Sequence, residues 1–342
     1  MKVCIVGAGA IGGFIGARLA AAGQAQVSAL ARGATLAALR GQGWRLSMAG
    51  KLIQAPALAS DRAAELGQQD LVIVAVKGQS LPQVAAAMAP LLGPQTLVLP
   101  AMNGVPWWFC EGLPGFDIEP LHSVDPGARI ASAIPYGQVL GCVVHASCAT
   151  TEPGWVQHKM GQGLIVGEPA GGHSARAQRV VALLAQAGFE ATHQADVRQA
   201  IWYKLWGNLT MNPVSAITGA TVDRLLADPQ VRGFCTAVMQ EAATIGARIG
   251  CQIEQSAEDR HAVTAKLGAF KTSMLQDAEA GRPIELDAIV GAVFEIGQRL
   301  GEPTPHIAAL LGLTRLFGQV HGLVPLTLTA PVTPATPATP AA

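Results

Sequence analysis

Lys204, Asn208 and Asn212 stand four residues apart in the stretch Ala200-Ile201-Trp202-Tyr203-Lys204-Leu205-Trp206-Gly207-Asn208-Leu209-Thr210-Met211-Asn212-Pro213. On a helix this spacing puts three polar side chains in one slowly drifting row. The residues around the row are nearly all apolar or aromatic, and Lys204 is the one charge between Arg198 and Asp223. A helix that is apolar on its other faces is normally buried. Its polar row then faces a cleft or a ligand, because buried polar groups need partners. A lysine so placed loses solvation, and its pKa falls toward the range useful for proton transfer. A polar stripe at this spacing is more often a wet helix face, but the lack of other charges speaks against that here. Pro213 is expected to end or kink the helix just after Asn212.

A second set of residues suits nucleotide chemistry. Gly7-Ala8-Gly9-Ala10-Ile11-Gly12 follows the short apolar strand Lys2 to Val6 and opens a helical pattern that runs through Ala22. This is G-x-G-x-x-G between strand and helix. The glycines allow a tight turn and close backbone approach, and the helix N-terminus offers free N–H groups to a pyrophosphate. In an NAD site an acidic residue about 20 positions further on holds the ribose hydroxyls. No Asp or Glu precedes Asp61, and Arg32 ends the second strand, Val27 to Ala31. A guanidinium there suits a 2′-phosphate, so NADP is expected.

These residues need a scaffold, and the composition supplies one. The chain has 342 residues, enough for two domains with buried cores. Half of them are apolar, 13% are charged, and the formal net charge is +0, which points to no nucleic-acid or anionic-membrane partner. Cys4, Cys110, Cys142, Cys148, Cys235 and Cys251 are scattered without a C-x-x-C pair, so they read as buried or idle thiols, with no metal site. Met1-Lys2 before an apolar run suggests a signal peptide, but Val3 to Val6 reads as a strand leading straight into the glycine motif. No apolar run is long enough to span a membrane, and the expectation is a cytoplasmic protein.

Further strands are expected over Asp70 to Val76, Thr96 to Leu99, Gln138 to His145 and Phe189 to His193, with a helix over Ser174 to Ala187. Gly154 to Glu168 reads as a hairpin-like pair. Lys77 and Asn103 fall at strand ends, the edge where open α/β sheets bind ligands. Lys77 could equally be solvated, and Asn103-Gly104 could serve only as a turn. Residues 105–137, with Trp107, Trp108 and five prolines, read as a long insertion near the active-site edge. From Ala195 to about Val320 only helical periods appear: Val231 to Ile249, Ser256 to Phe270, Ser273 to Ala280, Leu286 to Leu300 and Thr304 to Phe317. The fold class is therefore α/β, a Rossmann-type dinucleotide-binding domain over 1–194 followed by an all-α domain over 195–323. A Pro/Ala/Thr-rich tail, 324–342, cannot bury a core. Thr272 or Ser273 is a helix N-cap candidate. Glu285 is expected in the first turn of a helix, favoured by its dipole.

Taken together these pieces resemble the ketopantoate reductases (2-dehydropantoate 2-reductases), over roughly residues 1–320. The pattern comprises Gly7 to Gly12, Ala31-Arg32-Gly33, Val76-Lys77-Gly78, Asn103-Gly104, His145-Ala146, Trp202 to Asn212, Ser273-Met274-Leu275-Gln276-Asp277 and Glu285-Leu286-Asp287. The resemblance implies an active site between the two domains, NADPH as hydride donor and a 2-oxo acid as acceptor. It implies that Lys204 is the catalytic lysine, that Asn208, Asn212 and Ser273 bind substrate, and that Gly7, Ala8, Gly9, Ala10, Ile11, Gly12, Arg32, Lys77, Asn103, Ala146 and Glu285 lie on the cofactor side. Glu285 could orient Lys204 or hold the nicotinamide ribose. The activity implied is reduction of ketopantoate to (R)-pantoate in pantothenate synthesis. The alternatives are a reductase of another 2-oxo acid with the same build, or a non-catalytic NADP sensor. Three features depart from the family: the 105–137 insertion, the tail, and Val222 in place of a substrate-binding asparagine. A homodimer stays possible.

Overall fold

The computed structural model describes residues 1–116 and 119–325 of the chain. Residues 326–342 of the expected tail, and 117–118 of the expected insertion, lie outside the described residues. The N-terminal part runs β1 (Lys2–Val6), α1 (Ala10–Ala22), β2 (Gln26–Leu30), α2 (Gly33–Gln42), β3 (Trp44–Met48), β4 (Lys51–Ala55), β5 (Leu58–Ser60), α3 (Ala63–Leu66), β6 (Leu71–Val74), α4 (Leu81–Ala87) and β7 (Leu97–Pro100). It continues through α5 (Arg129–Ala133), β8 (Gly141–Glu152), β9 (Trp155–Gly167), α6 (Ala175–Gln186) and β10 (Glu190–His193). Helices follow: α7 (Val197–Thr218), α8 (Val222–Ala227), α9 (Pro229–Arg248), α10 (Ala257–Ala265), α11 (Ser273–Glu279), α12 (Ala292–Leu300) and α13 (Pro305–Val320).

β1 is apolar throughout after Lys2 and buried on both faces, as a central parallel strand must be. The first sheet has the order β5-β2-β1-β6-β7, all parallel, with Val3 opposite both Val27 and Leu71. A second sheet stands beside it. β8 and β9 form a long antiparallel hairpin, and the other edge of β9 is shared by β3 and β10. A single parallel bridge, Val98 to Val139, joins the two sheets. The hairpin expected within 154–168 is thus one continuous strand; the turn lies before it, and Gly161 lets the strand kink at φ +72° instead of reversing it. The strand expected over 138–145 begins at Gly141 and extends to Glu152. β3, β4 and β5 have no counterpart in the sequence reading, because their burial does not alternate cleanly.

The alternation of β1 divides its side chains between two cores. Val3 and Ile5 pack with α1, α6 and the second sheet, while Cys4 and Val6 join a core that continues into the helices after residue 194. Helix α1 fits between the sheets because its glycines let it approach. A Cβ at Gly16 would lie 2.4 Å from the Trp44 ring, and one at Gly13 2.6 Å from Val156.

Helix α7 carries the Lys204 row and is capped at Asp196, whose side chain accepts the Gln199 N–H, and at Gly219 in the left-handed region. It runs unbroken past Pro213 to Thr218, contrary to the expected stop. The Trp202 and Trp206 indoles donate to Ala242 and Met239 of α9, so packing outweighs the backbone hydrogen bond that Pro213 removes. Trp107 and Trp108 belong to the apolar core. They are buried in the core beneath α7, where Phe109 stacks on Trp202 with centroids 5.9 Å apart. The 105–137 segment is drawn inward because its aromatic side chains have apolar partners there. Val222 is likewise 1% exposed, at the start of α8, with its N–H bonded to the Phe270 carbonyl.

Candidate active site

The first wall of the site is built from backbone. Gly7 has φ +89°, a conformation that side chains other than glycine rarely adopt. A Cβ at Gly12 would lie 2.0 Å from the Gly7 carbonyl oxygen, so glycine there lets α1 press against the turn. Gly9 is the N-cap of α1 without a side-chain cap, and a Cβ on it would meet nothing within 4 Å. The first-turn N–H groups of α1 have no side-chain cap, and the space beside Gly9 is open, the arrangement that suits a phosphate anion. A cleft of ≈ 320 Å³ lies against this turn, lined in part by Gly7, Ala8, Gly9, Ala31 and Arg32. Arg32 is exposed at its mouth and forms no ion pair among the described residues. Thr35, Asp61 and Gln83 also line it and were not singled out by sequence. Asp61 follows β5, a three-residue strand too short to leave a periodic signal. An acidic side chain thus stands in the same cleft as Arg32.

The second wall is built from side chains. Lys204 donates to Asn103 Oδ1 at 2.8 Å and to the Val144 carbonyl at 2.7 Å. One acceptor comes from the turn after β7 and the other from β8, so both anchor the lysine to the N-terminal part. Burial lowers the Lys204 pKa from 10.5 to about 8, and the charge of Glu285 partly offsets this. Glu285 accepts the Gly78 N–H at 3.3 Å. Burial raises its pKa, while the Gly78 hydrogen bond and the Lys77 and Lys204 charges oppose the rise. It does not sit in a first helical turn. It precedes the helix, which starts at Leu286 and passes through a π turn over Asp287–Gly291. That turn meets the Asn103 loop: the Ala288 carbonyl accepts the Val105 N–H at 2.8 Å, and a Cβ at Gly104 would lie 2.5 Å from the same oxygen.

Lys77 is not free in the cleft. It donates to the Pro283 carbonyl at 2.7 Å and pairs with Asp277 of α11 at 2.8 Å. Lysine at the end of β6 thereby ties the sheet edge to the helical part. Ala146 lies two residues beyond Val144, at an irregularity in the β8 register between His145 and Ser147. The N-cap of α11 is Thr272, whose hydroxyl accepts the Leu275 N–H and meets the Ser215 hydroxyl at 2.5 Å. Ser273 follows with its side chain exposed. Asn208 is half-buried and Asn212 is buried, and among the described residues neither side-chain amide forms a hydrogen bond. The structure thus joins Lys204 to Asn103 directly and sets Glu285 within range of Lys204. It leaves Asn208, Asn212 and Ser273 without bonds to that group. Among the described residues, no group of three or more His, Cys, Asp or Glu is placed to hold a metal ion, and no helix is long and apolar enough to cross a membrane.

A Rossmann-type sheet with a glycine turn, facing a helical part that presents a buried lysine, defines a pyridine-nucleotide-dependent oxidoreductase. Two family models agree: "Ketopantoate reductase PanE/ApbA" matches residues 3–171, and its C-terminal counterpart matches residues 196–317. The chain belongs to the ketopantoate reductase family. It is 42% identical over 323 residues to a 2-dehydropantoate 2-reductase of Mesorhizobium japonicum, covering 94% of this chain and 99% of that one. A crystal structure of a candidate ketopantoate reductase from Ralstonia solanacearum MolK2 is 56% identical, with a TM-score of 0.91 over 94% of this chain and 99% of the other. A PanE/ApbA family ketopantoate reductase from Ralstonia eutropha JMP134, at 27% identity, has a TM-score of 0.81 over 94% of this chain and 100% of that one.

Proposed function

We propose that the chain reduces ketopantoate to (R)-pantoate with NADPH, in pantothenate synthesis, and that Lys204 is the general acid. Residues 1–194 hold the dinucleotide and residues 195–323 bring the lysine. The observation that carries this reading is the Lys204 ammonium, held by two acceptors from the N-terminal part with its pKa brought down to about 8.

NADPH, when bound, supplies the hydride. The open space at Gly9 and the free N–H groups at the start of α1 fit its pyrophosphate, and Arg32 suits its 2′-phosphate; Lys77, Asn103, Ala146 and Glu285 are assigned to the cofactor side by the family pattern. As the ketone carbon is reduced, negative charge grows on its oxygen. Lys204 stabilises that charge and donates the proton. Glu285, fixed by Gly78, favours the protonated lysine. Asn208, Asn212 and Ser273, with polar groups not bonded to other side chains, offer hydrogen bonds to the rest of the substrate.

The test is NADPH oxidation, followed by absorbance, with ketopantoate beside a panel of 2-oxo acids. Selective turnover of ketopantoate is expected. A better substrate elsewhere in the panel removes ketopantoate and keeps the chemistry. NADPH binding without any turnover removes the enzyme reading.

A further inference from the structure

Arg260 stands in α10, outside every motif that the sequence singles out. Its guanidinium crosses to α7 and lies over the Tyr203 ring, 4.8 Å from the centroid. A Cβ at Gly207 would come 3.0 Å from Nη2, so the glycine keeps the space in which the guanidinium rests. Tyr203 adjoins Lys204 in the chain, and Gly207 follows it by one helical turn. The residues that Arg260 touches thus belong to the stretch of α7 that carries Lys204.

Arg260 is poorly partnered. Its one hydrogen bond, from Nη1 to the Tyr203 hydroxyl, is long at 3.4 Å, and Nε is buried without an acceptor. Among the described residues it pairs with no carboxylate. A guanidinium has five N–H donors, and a partly buried one calls for an anion. The charges of Lys204 and Arg260 both reach His145 of β8. Burial first, and then these two cations, hold its imidazole below the usual range, which disfavours a third positive charge beside them.

A 2-oxo acid has two features to be recognised, a ketone oxygen and an adjacent carboxylate. Lys204 serves the first. Asn208, Asn212 and Ser273 are uncharged and cannot supply the counter-charge for the second. Arg260 rests on Tyr203 and Gly207, which lie on either side of Lys204 in the α7 sequence, so the two cations adjoin the same stretch of the cleft-facing helix. We propose that Arg260 is a specificity-determining residue that binds the substrate carboxylate beside Lys204, so that the enzyme selects acids over their neutral esters. This rests on the 2-oxo acid reductase reading above.

The experiment compares the best 2-oxo acid of the panel with its methyl ester or lactone, in the NADPH-loaded wild type and in Arg260→Met, Arg260→Lys and Gly207→Ala. In Arg260→Met, KM for the acid should rise by roughly tenfold or more, with kcat within a few-fold, as for loss of a charge-assisted bond. The preference for acid over ester should fall by a similar factor, and Arg260→Lys should restore part of it. NADPH affinity, read by tryptophan fluorescence, should stay unchanged. Gly207→Ala, which crowds the guanidinium while keeping its charge, should lower the same preference and decides the matter if Arg260→Met does not fold. A mere stacking role on Tyr203 would leave the acid-to-ester ratio unmoved, and that result in the variants overturns the proposal alone. Absence of turnover of any 2-oxo acid by the wild type overturns it together with the reading on which it rests.

Discussion

The two walls of the cleft are built by opposite means. On the dinucleotide wall, Gly7, Gly9 and Gly12 are near neighbours in the chain, and their contribution is backbone: a left-handed turn, an open helix end, a close approach. On the facing wall, Asn103, Lys204 and Glu285 come from separate elements, and each contributes a side chain fixed by contacts between distant segments. A backbone site is specified locally and tolerates little change in the shape of its few residues. A side-chain site is specified by the whole fold, and its chemistry can be adjusted one residue at a time.

The largest break in this comparison is Lys204→Ala. It should lower kcat by roughly 10²-fold or more, the scale for losing a general acid, while NADPH still binds. Wild-type turnover in steady-state assays would remove Lys204 from the mechanism. The wild-type pH profile sharpens the same point. The Lys204 pKa is lowered to about 8, so the protonated donor is complete below that pH and is lost above it. Ketone reduction should fall by about tenfold per unit at higher pH, and alcohol oxidation should rise through the same range. A reductive rate that is flat from pH 7 to pH 10 would contradict the assignment.

Gly12→Ala tests the backbone wall. The added carbon would meet the Gly7 carbonyl oxygen, and backbone gives way less readily than a side chain. Stability should fall by about 1–3 kcal/mol, the usual cost of overpacking, together with dinucleotide affinity. Thermal unfolding and a binding titration would show it, and an unchanged pair of values would mean that the turn is not as tight as described. Arg32→Ala should have the smallest effect, a several-fold rise in KM for NADPH with little change for NADH. Asp61 in the same cleft makes this variant informative, since equal effects on the two cofactors would take away the case for a 2′-phosphate contact.

The contrast between the walls also explains what could be read from sequence. The glycine turn, the parallel strands β1, β2, β6 and β7, and the helical second part were legible because their signals are local: a motif, an apolar run, a 3.6-residue period. Lys204 was legible because it is an isolated charge in an apolar helix. Asn103 as its partner, and Glu285 as a group ahead of the helix, could not be derived from periodicity, since the contacts span distant segments. That Trp107, Trp108 and Val222 are buried in the core was not legible for the same reason. Composition says that an aromatic pair must be covered, but only the fold shows that α7 covers it. At Pro213 the helix does not stop, because tertiary packing outweighs local propensity.

An ammonium carries three N–H groups. In Lys204 two of them are committed, one to Asn103 and one to the Val144 carbonyl. One remains, and the other two fix its direction. In the proposed reaction this N–H sets where the ketone oxygen rests, and contacts to the rest of the substrate choose the face that meets the dinucleotide wall. Two hydrogen bonds that never touch the substrate thus decide the point from which the proton would be delivered.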